Sequence, residues 1–280
     1  SWIILTGPYA YKIKKPVSLG FLDFSTLPRR KTMCVEELRL NRRLAPELYL
    51  EVIAITGNAK NPVLNGPDAV IEYAVKMVQF DTNKEMDVLI RGELDIHIID
   101  DLALQVADFH QQRARVCVEQ DFSSSTQVSR RIKDNFLEIR PYIDPAGRQG
   151  LDRLEEWVDS RLSTCRDFIN VRKRDGFVRE CHGDLHLGNM VLIADRIRLF
   201  DCLEFNEQFR WIDVMSEIAF VVMDFDFHHH RDFGFQFLNR YLWVTGDYAG
   251  LELLSLYLVY RVVLMYIKIR LTSSSMIGPP

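Results

Sequence analysis

The spacing of apolar and polar residues changes character near Asp81. Before it the chain reads mostly as strand. In "WIILTGPYAYKIKKPV", residues 2–17, two β-rich runs flank Gly7-Pro8, which predicts a hairpin. "TMCVEELRLNRRLA", residues 32–45, spaces Met33, Leu38, Leu40 and Leu44 in a pattern closer to helix, with charge on the other faces. Strand-like runs follow at 49–55 and 69–80, so the expected order is strand, strand, helix, strand, strand. Beyond Asp81 the pattern is helical over 98–116 and much of 126–170, with Pro141, Pro145 and Gly147 marking a break. A short β insertion surrounds residues 181–201, and helix is expected from about 211 to the end. A β-rich part ahead of a larger helical part is an α+β arrangement. The lobes expected are 1–80 and 81–280, with the space between them as the natural ligand site.

Composition narrows the function classes. The 280 residues are 48% apolar and 26% charged, ordinary for a globular chain with a sizeable core. A net charge of −4 disfavours nucleic acid as a partner, and "RRIK" and "VRKR" read as solvated helix faces. Five scattered cysteines, never spaced C-x-x-C, argue against a disulfide framework or a zinc knuckle and suit a reducing cytoplasm. The apolar stretch 251–271 is interrupted by Glu252, Arg261, Lys268 and Arg270, so it is expected to be a helix buried on most sides rather than a membrane span. The chain starts at Ser1 inside an apolar run, and upstream sequence is expected. "HHH" at 228–230 is expected to be a solvated turn.

The chemistry concentrates in "CHGDLHLGNM", residues 181–190. One reading is a metal cage of His182, Asp184 and His186, which would share a face on a strand. Gly183 and Gly188 weaken that strand, and the cage leaves Asn189 unexplained. The other reading is phosphoryl transfer, which needs a carboxylate to orient the acceptor hydroxyl and take its proton, and oxygen ligands for magnesium. The catalytic-loop pattern puts Asn five residues after the catalytic Asp, as Asn189 follows Asp184. "MVLIADRIRLFD", residues 190–201, then reads as a hairpin that brings Asn189 beside Asp201. This second reading explains more of the stretch.

"HGDLHLGN", "LFDCLEFN" and "RWIDVMSEIAF" together resemble the aminoglycoside phosphotransferase group of the protein-kinase-like superfamily. More narrowly, with "YAYKIKKPVSLGFLDFSTL" and "EELRLNRRLAPELYL", they are similar to bacterial phosphotransferase-like proteins often fused to a P-loop ATPase domain. The resemblance runs nearly end to end and implies a bilobal protein-kinase-like fold using ATP and Mg2+. It implies Asp184 as catalytic base or orienter of the acceptor, Asn189 and Asp201 as magnesium ligands, and His182 as scaffold. His186 either approaches the acceptor or supports the loop. The phosphates need a lysine held by a helix glutamate. "AYK" points to Lys12, with Lys14 on the same strand face as the alternative; Glu37 is the expected partner, with Glu36 beside it. Adenine would lie against the segment 76–81, lined by Met77, Val78 and Phe80. Glu217, in the place of the family's acid that braces the catalytic loop, and Asp213 read as structural support.

Three departures qualify the resemblance: no glycine-rich phosphate loop precedes "AYK", "DCLE" stands for Asp-Phe-Gly, and no G-x-x-x-x-G-K-[ST] exists in the chain. A P-loop domain would therefore be separate or missing. The expected function is a cytoplasmic small-molecule kinase acting on a hydroxyl, with Glu204, Glu207, Asp224 and Asp226 as acids for a polycationic acceptor. The alternatives are a nucleotide-binding pseudokinase that regulates a partner ATPase and, behind it, a metal-dependent hydrolase.

Overall fold

The computed structural model describes residues 1–19, 22–92, 94–116 and 119–276. In chain order the elements are β1 (Trp2–Thr6), β2 (Tyr9–Ile13), β3 (Ser18–Leu19), β4 (Leu22–Asp23), α1 (Leu27–Asn41), β5 (Tyr49–Asn58), β6 (Asn61–Leu64) and β7 (Val70–Val78). There follow α2 (Met86–Leu89), α3 (Ile96–Gln112), α4 (Ser125–Ile139), α5 (Pro145–Arg174), β8 (Val178–Glu180), β9 (Met190–Ile193) and β10 (Arg196–Leu199). The last are β11 (Trp211–Asp213), α6 (Val214–Phe227), α7 (Arg231–Thr245) and α8 (Leu251–Met276). The class is α+β. Two compact units result, 1–101 with 182–210 and 102–181 with 211 onward.

The first unit is built on a five-stranded antiparallel sheet in the order β1-β2-β7-β5-β6. Alternation along β2 places Ala10 and Lys12 on one face and Tyr11 and Ile13 on the other. Ala10 joins Cys34 of α1, Tyr49, Val75, Met77 and Val191 of β9 in one apolar cluster. Burying a side chain such as Val191 there is worth about 1.5–3 kcal/mol, which pins the β9-β10 hairpin to this unit. Helix α1 starts at Leu27, earlier than the 32–45 pattern suggested, because Pro28 in its first turn costs no intrahelical donor. The edge strand β6 was not anticipated: "NPVL" carries a proline, which only an edge tolerates.

In the second unit, α5 opens with Asp144 accepting from the Gly147 N–H at 2.7 Å, so Pro145 and Gly147 lie inside a capped helix start. The break falls before them, at Arg140–Tyr142. Residues 211–213, expected to begin a helix, instead pair with β8 before Asp213 caps α6. The stretch Tyr248–Arg270 has the length and apolarity of a membrane span by composition. It packs on α4, α5 and α6. Leu253, Leu256, Tyr257, Tyr260 and Val263 form its inner stripe, while Val262 faces out. His228–His230 form the turn between α6 and α7, as the pattern suggested. Cys117 and residues 277–280 lie outside the described residues; Cys34, Cys165, Cys181 and Cys202 are buried, and none of the four is in a disulfide.

Candidate active site

The stretch 182–189 is a tight loop built around His182, which is fully buried. Its Nε2 lies 2.8 Å from the Phe200 carbonyl, so that nitrogen carries the hydrogen and Nδ1 accepts the Asp184 N–H at 3.3 Å. Both ring nitrogens are thus committed to the backbone, and the residue is scaffold rather than a metal ligand. Gly183 has φ +89°, and a Cβ there would stand 2.8 Å from the Phe209 carbonyl, so only glycine fits. His186 caps the following turn through Nδ1 and the Gly188 N–H, leaving Nε2 3.6 Å from Asp184 Oδ2. The cage of His182, Asp184 and His186 does not form.

Asn189 donates from Nδ2 to the Asp184 carbonyl at 2.8 Å and to its Oδ2 at 3.2 Å. That leaves Oδ1 of Asn189 as the atom a cation would take. The β9-β10 register pairs Met190 with Leu199, and the Phe200 N–H bonds to the Asn189 carbonyl at 3.0 Å. Asp201 therefore follows directly on the residue opposite Asn189. It adopts φ +61°, the left-handed region that aspartate tolerates better than most side chains, and its N–H is fixed by the Tyr49 hydroxyl at 3.1 Å. Its side chain is 42% exposed. An amide oxygen and an exposed carboxylate are oxygen donors of the kind magnesium selects, so this donor set fits the ion.

Asp201 also accepts Lys12 Nζ at 2.5 Å, and Lys12 reaches Glu37 Oε1 at 2.8 Å. Glu37 is shared: its Oε2 takes Lys14 at 2.7 Å, and Lys14 in turn pairs with Glu204. Two lysines and three carboxylates thus form one continuous cluster. Burial raises the Glu37 carboxyl, but Lys12 and Lys14 outweigh it and hold it at about 2. Burial lowers the Lys12 amine, but Asp201 and Glu37 more than reverse it and lift it well above its ordinary value. Glu204 goes up, because burial and the neighbouring Glu37 act against its ionised form more strongly than Lys14 relieves it. Glu36, the alternative to Glu37, points away and pairs with Arg39 and Arg210, each at 2.8 Å. Lys14 is closed in by burial and by Glu204, whereas Lys12 adjoins the exposed Asp201.

Met77 is buried in the apolar cluster, and half-buried Val78 and Phe80 pack against it, Phe80 lying 5.1 Å from Phe200. The N–H groups of Val78 and Gln79 are taken by the Leu48 and Pro8 carbonyls, so Phe80 carries the first N–H past these bonds. Of the four acids expected to meet a polycation, Glu204 and Asp224 are buried and do not form such a surface. In the second unit Glu217 is engaged by His110 Nε2 at 2.9 Å, whose Nδ1 meets the Tyr241 hydroxyl at 2.9 Å. With Cys181 these make a buried metal-capable group, yet both ring nitrogens of His110 already have partners. Asp213 takes Arg172 in two bonds of 2.7 and 2.8 Å.

Sequence reasoning passed over Asn41, which is fully buried. Its Nδ2 bonds the Glu37 carbonyl at 2.8 Å and its Oδ1 accepts the Cys202 N–H at 2.9 Å, tying α1 to the Asp201 segment. Tyr49, Glu204 in its pairing role, and His110 were missed likewise. Their partners lie far off in the chain and leave no local signal.

No family model matches the chain. It is 30% identical over 267 residues to uncharacterised proteins of Mycobacterium tuberculosis and Mycobacterium bovis, covering 93% of this chain and 51% of theirs. The chain thus spans about half the length of the curated relatives it matches. Among solved structures, an aminoglycoside kinase with GDP and kanamycin aligns at TM-score 0.53 and 13% identity, over 94% of this chain and 81% of that one. An amicoumacin kinase in complex with AMP-PNP, Ca2+ and Ami aligns at 0.52 and 13%, over 94% and 75%. A choline kinase of Cryptosporidium parvum aligns at 0.50 and 12%, over 91% and 72%. The chain has the protein-kinase-like fold of these small-molecule phosphotransferases.

Proposed function

We propose that the chain is an ATP- and magnesium-dependent phosphotransferase that moves the γ-phosphoryl group to a hydroxyl of a small molecule. The observation that carries this reading is the Lys12–Glu37–Asp201 cluster formed beside the loop in which Asn189 holds Asp184. Lys12 binds the nucleotide phosphates, exchanging Asp201 for phosphate oxygens while Glu37 keeps its amine in place. Asn189 Oδ1 and Asp201 hold the magnesium, which when bound offsets the phosphate charge. Asp184 orients the acceptor hydroxyl and takes its proton as the new O–P bond forms; the bond between the β,γ-bridging oxygen and the γ-phosphorus breaks, releasing ADP. Met77, Val78 and Phe80, with Ala10 opposite on the sheet, offer the apolar wall on which a base rests. Kanamycin in one of the similar structures and the choline and amicoumacin kinases among the others support a hydroxyl-bearing small molecule as acceptor class.

Calorimetry with ATP, with and without magnesium, followed by a phosphorylation screen over sugars, amino alcohols and aminoglycosides, tests this. Asp184→Ala is expected to cut transfer by about 10²–10⁴-fold with nucleotide affinity retained. Asp201→Ala is expected to abolish the magnesium dependence of binding. Magnesium-ATP binding with no acceptor phosphorylated would turn the reading into a regulatory nucleotide-binding module, and failure of magnesium-ATP to bind would end it.

A further inference from the structure

We propose that Tyr49 and Asn41 are positioning residues for the magnesium ligand Asp201: each holds one backbone N–H of its segment, and together they fix where its carboxylate points. The inference rests on the reading of Asn189 and Asp201 as the magnesium ligands and adds to it two residues that the chemical step does not use.

The starting observation is a left-handed residue held from outside. Ala194 and Asp195 also have positive φ, but they form the two-residue turn of the β9-β10 hairpin, where that conformation is the favoured one. Asp201, just past the end of β10, has no hairpin turn to require its φ of +61°, and such a conformation persists where the surroundings enforce it. Two buried side chains do so. Tyr49, the first residue of β5, accepts the Asp201 N–H at its hydroxyl at 3.1 Å, and Asn41, the last residue of α1, accepts the Cys202 N–H at Oδ1 at 2.9 Å. Both anchors are themselves fixed. The Tyr49 carbonyl takes Arg42 Nε at 2.9 Å, and its side chain belongs to the cluster of Ala10, Cys34, Val75 and Met77. Asn41 Nδ2 bonds the Glu37 carbonyl one turn back at 2.8 Å. The helix that aims Glu37 at Lys12 therefore also holds the segment that carries Asp201.

The carboxylate needs this backbone support. Its side chain is 42% exposed, so packing does not fix it, and its ion pair with Lys12 at 2.5 Å is the contact given up when Lys12 turns to phosphate oxygens. The two backbone anchors then remain. Magnesium demands near-ideal octahedral geometry at short distances, whereas calcium accepts a variable number of oxygens in a flexible arrangement. A carboxylate on a loosened backbone still serves calcium and serves magnesium poorly. The anchors therefore set how well the site discriminates between the two ions.

Tyr49→Phe removes one hydroxyl and keeps the ring and its packing. In calorimetry on the full chain its affinity for magnesium-ATP is expected to fall about tenfold, the effect of one lost hydrogen bond. Its affinity for calcium-ATP is expected to fall by less than about threefold, and that for ATP without a cation to stay within about twofold of wild type. Asn41→Leu is expected to follow the same order with a larger loss for magnesium; should that variant not fold, Tyr49→Phe still decides. A merely structural role would lower Tm and weaken all three affinities alike. Equal losses with magnesium, with calcium and without a cation, or no loss of magnesium-ATP affinity in Tyr49→Phe, overturns the proposal while leaving the phosphotransferase reading intact. A wild-type chain that binds no magnesium-ATP ends that reading and this inference with it.

Discussion

At the residue scale the candidate site is a problem of shared charge. Glu37 divides its two oxygens between Lys12 and Lys14, and each lysine has a second acid, Asp201 or Glu204. Removing the shared acid leaves two buried ammonium groups short of a partner, so Glu37→Gln is expected to cost about 3–5 kcal/mol at neutral pH. The pH dependence follows from the depressed carboxyl. Its value falls from 4.5 to about 2 on folding, so the stabilisation is fully present above pH 4.5 and is lost as pH falls through about 2. Urea unfolding should therefore show the gap between wild type and Glu37→Gln closing over that interval. A gap that stays constant down to pH 2 would mean the carboxyl is not held by the lysines. Glu204 works in the other direction, since its raised pKa means that acid relieves its burial rather than removing a stabilising charge. At this scale much was legible. Asp184, Asn189 and Asp201 sit in one local pattern, and Lys12 and Lys14 differ by a strand repeat. The choice between Glu36 and Glu37 was not legible, because it depends on how α1 is rotated against the sheet.

At the element scale, single polar side chains join segments that strands and helices alone would leave loose. Arg172, near the end of α5, takes Asp213 at the start of α6 and Asp247 before α8, with bonds of 2.6 to 2.8 Å to each. Its ring neighbour Phe177 lies 4.1 Å beneath the guanidinium. Arg172→Met strands two buried carboxylates and is expected to lower stability by about 3–5 kcal/mol in chemical denaturation. A loss below about 1 kcal/mol, as for an exposed ion pair, would refute this view of the junction. The β9-β10 hairpin was readable beforehand because an apolar run, a polar turn and a second run are local signals. Strand β11 was hidden: three residues beside a helix start carry no period, and only β8, whose paired residues lie 31 to 35 positions earlier, gives them a partner.

At the scale of the whole molecule, the chain crosses between its two compact units three times. The first unit needs residues 182–210 as well as 1–101. A fragment of residues 1–101 would keep Lys12, Lys14 and Glu37 but lose Asp201 and Glu204, and would uncover the cluster that Val191 completes. It is expected to lack a cooperative thermal transition by circular dichroism, and the full chain is expected to show one. A sharp transition in the fragment would contradict this. The sequence by itself determined the class of fold, the order of the main elements and the loop that carries the candidate chemistry. Hydrophobic period, turn residues and short motifs act over a few residues, and a single chain displays them directly. Only the tertiary structure decided that His182 spends both nitrogens on the backbone and that Asn41 and Tyr49 hold the Asp201 segment. Those outcomes depend on which groups, often more than a hundred residues apart, are driven together when water is excluded. Burial then forces every charge and donor to find a partner, and no local pattern records which one it finds.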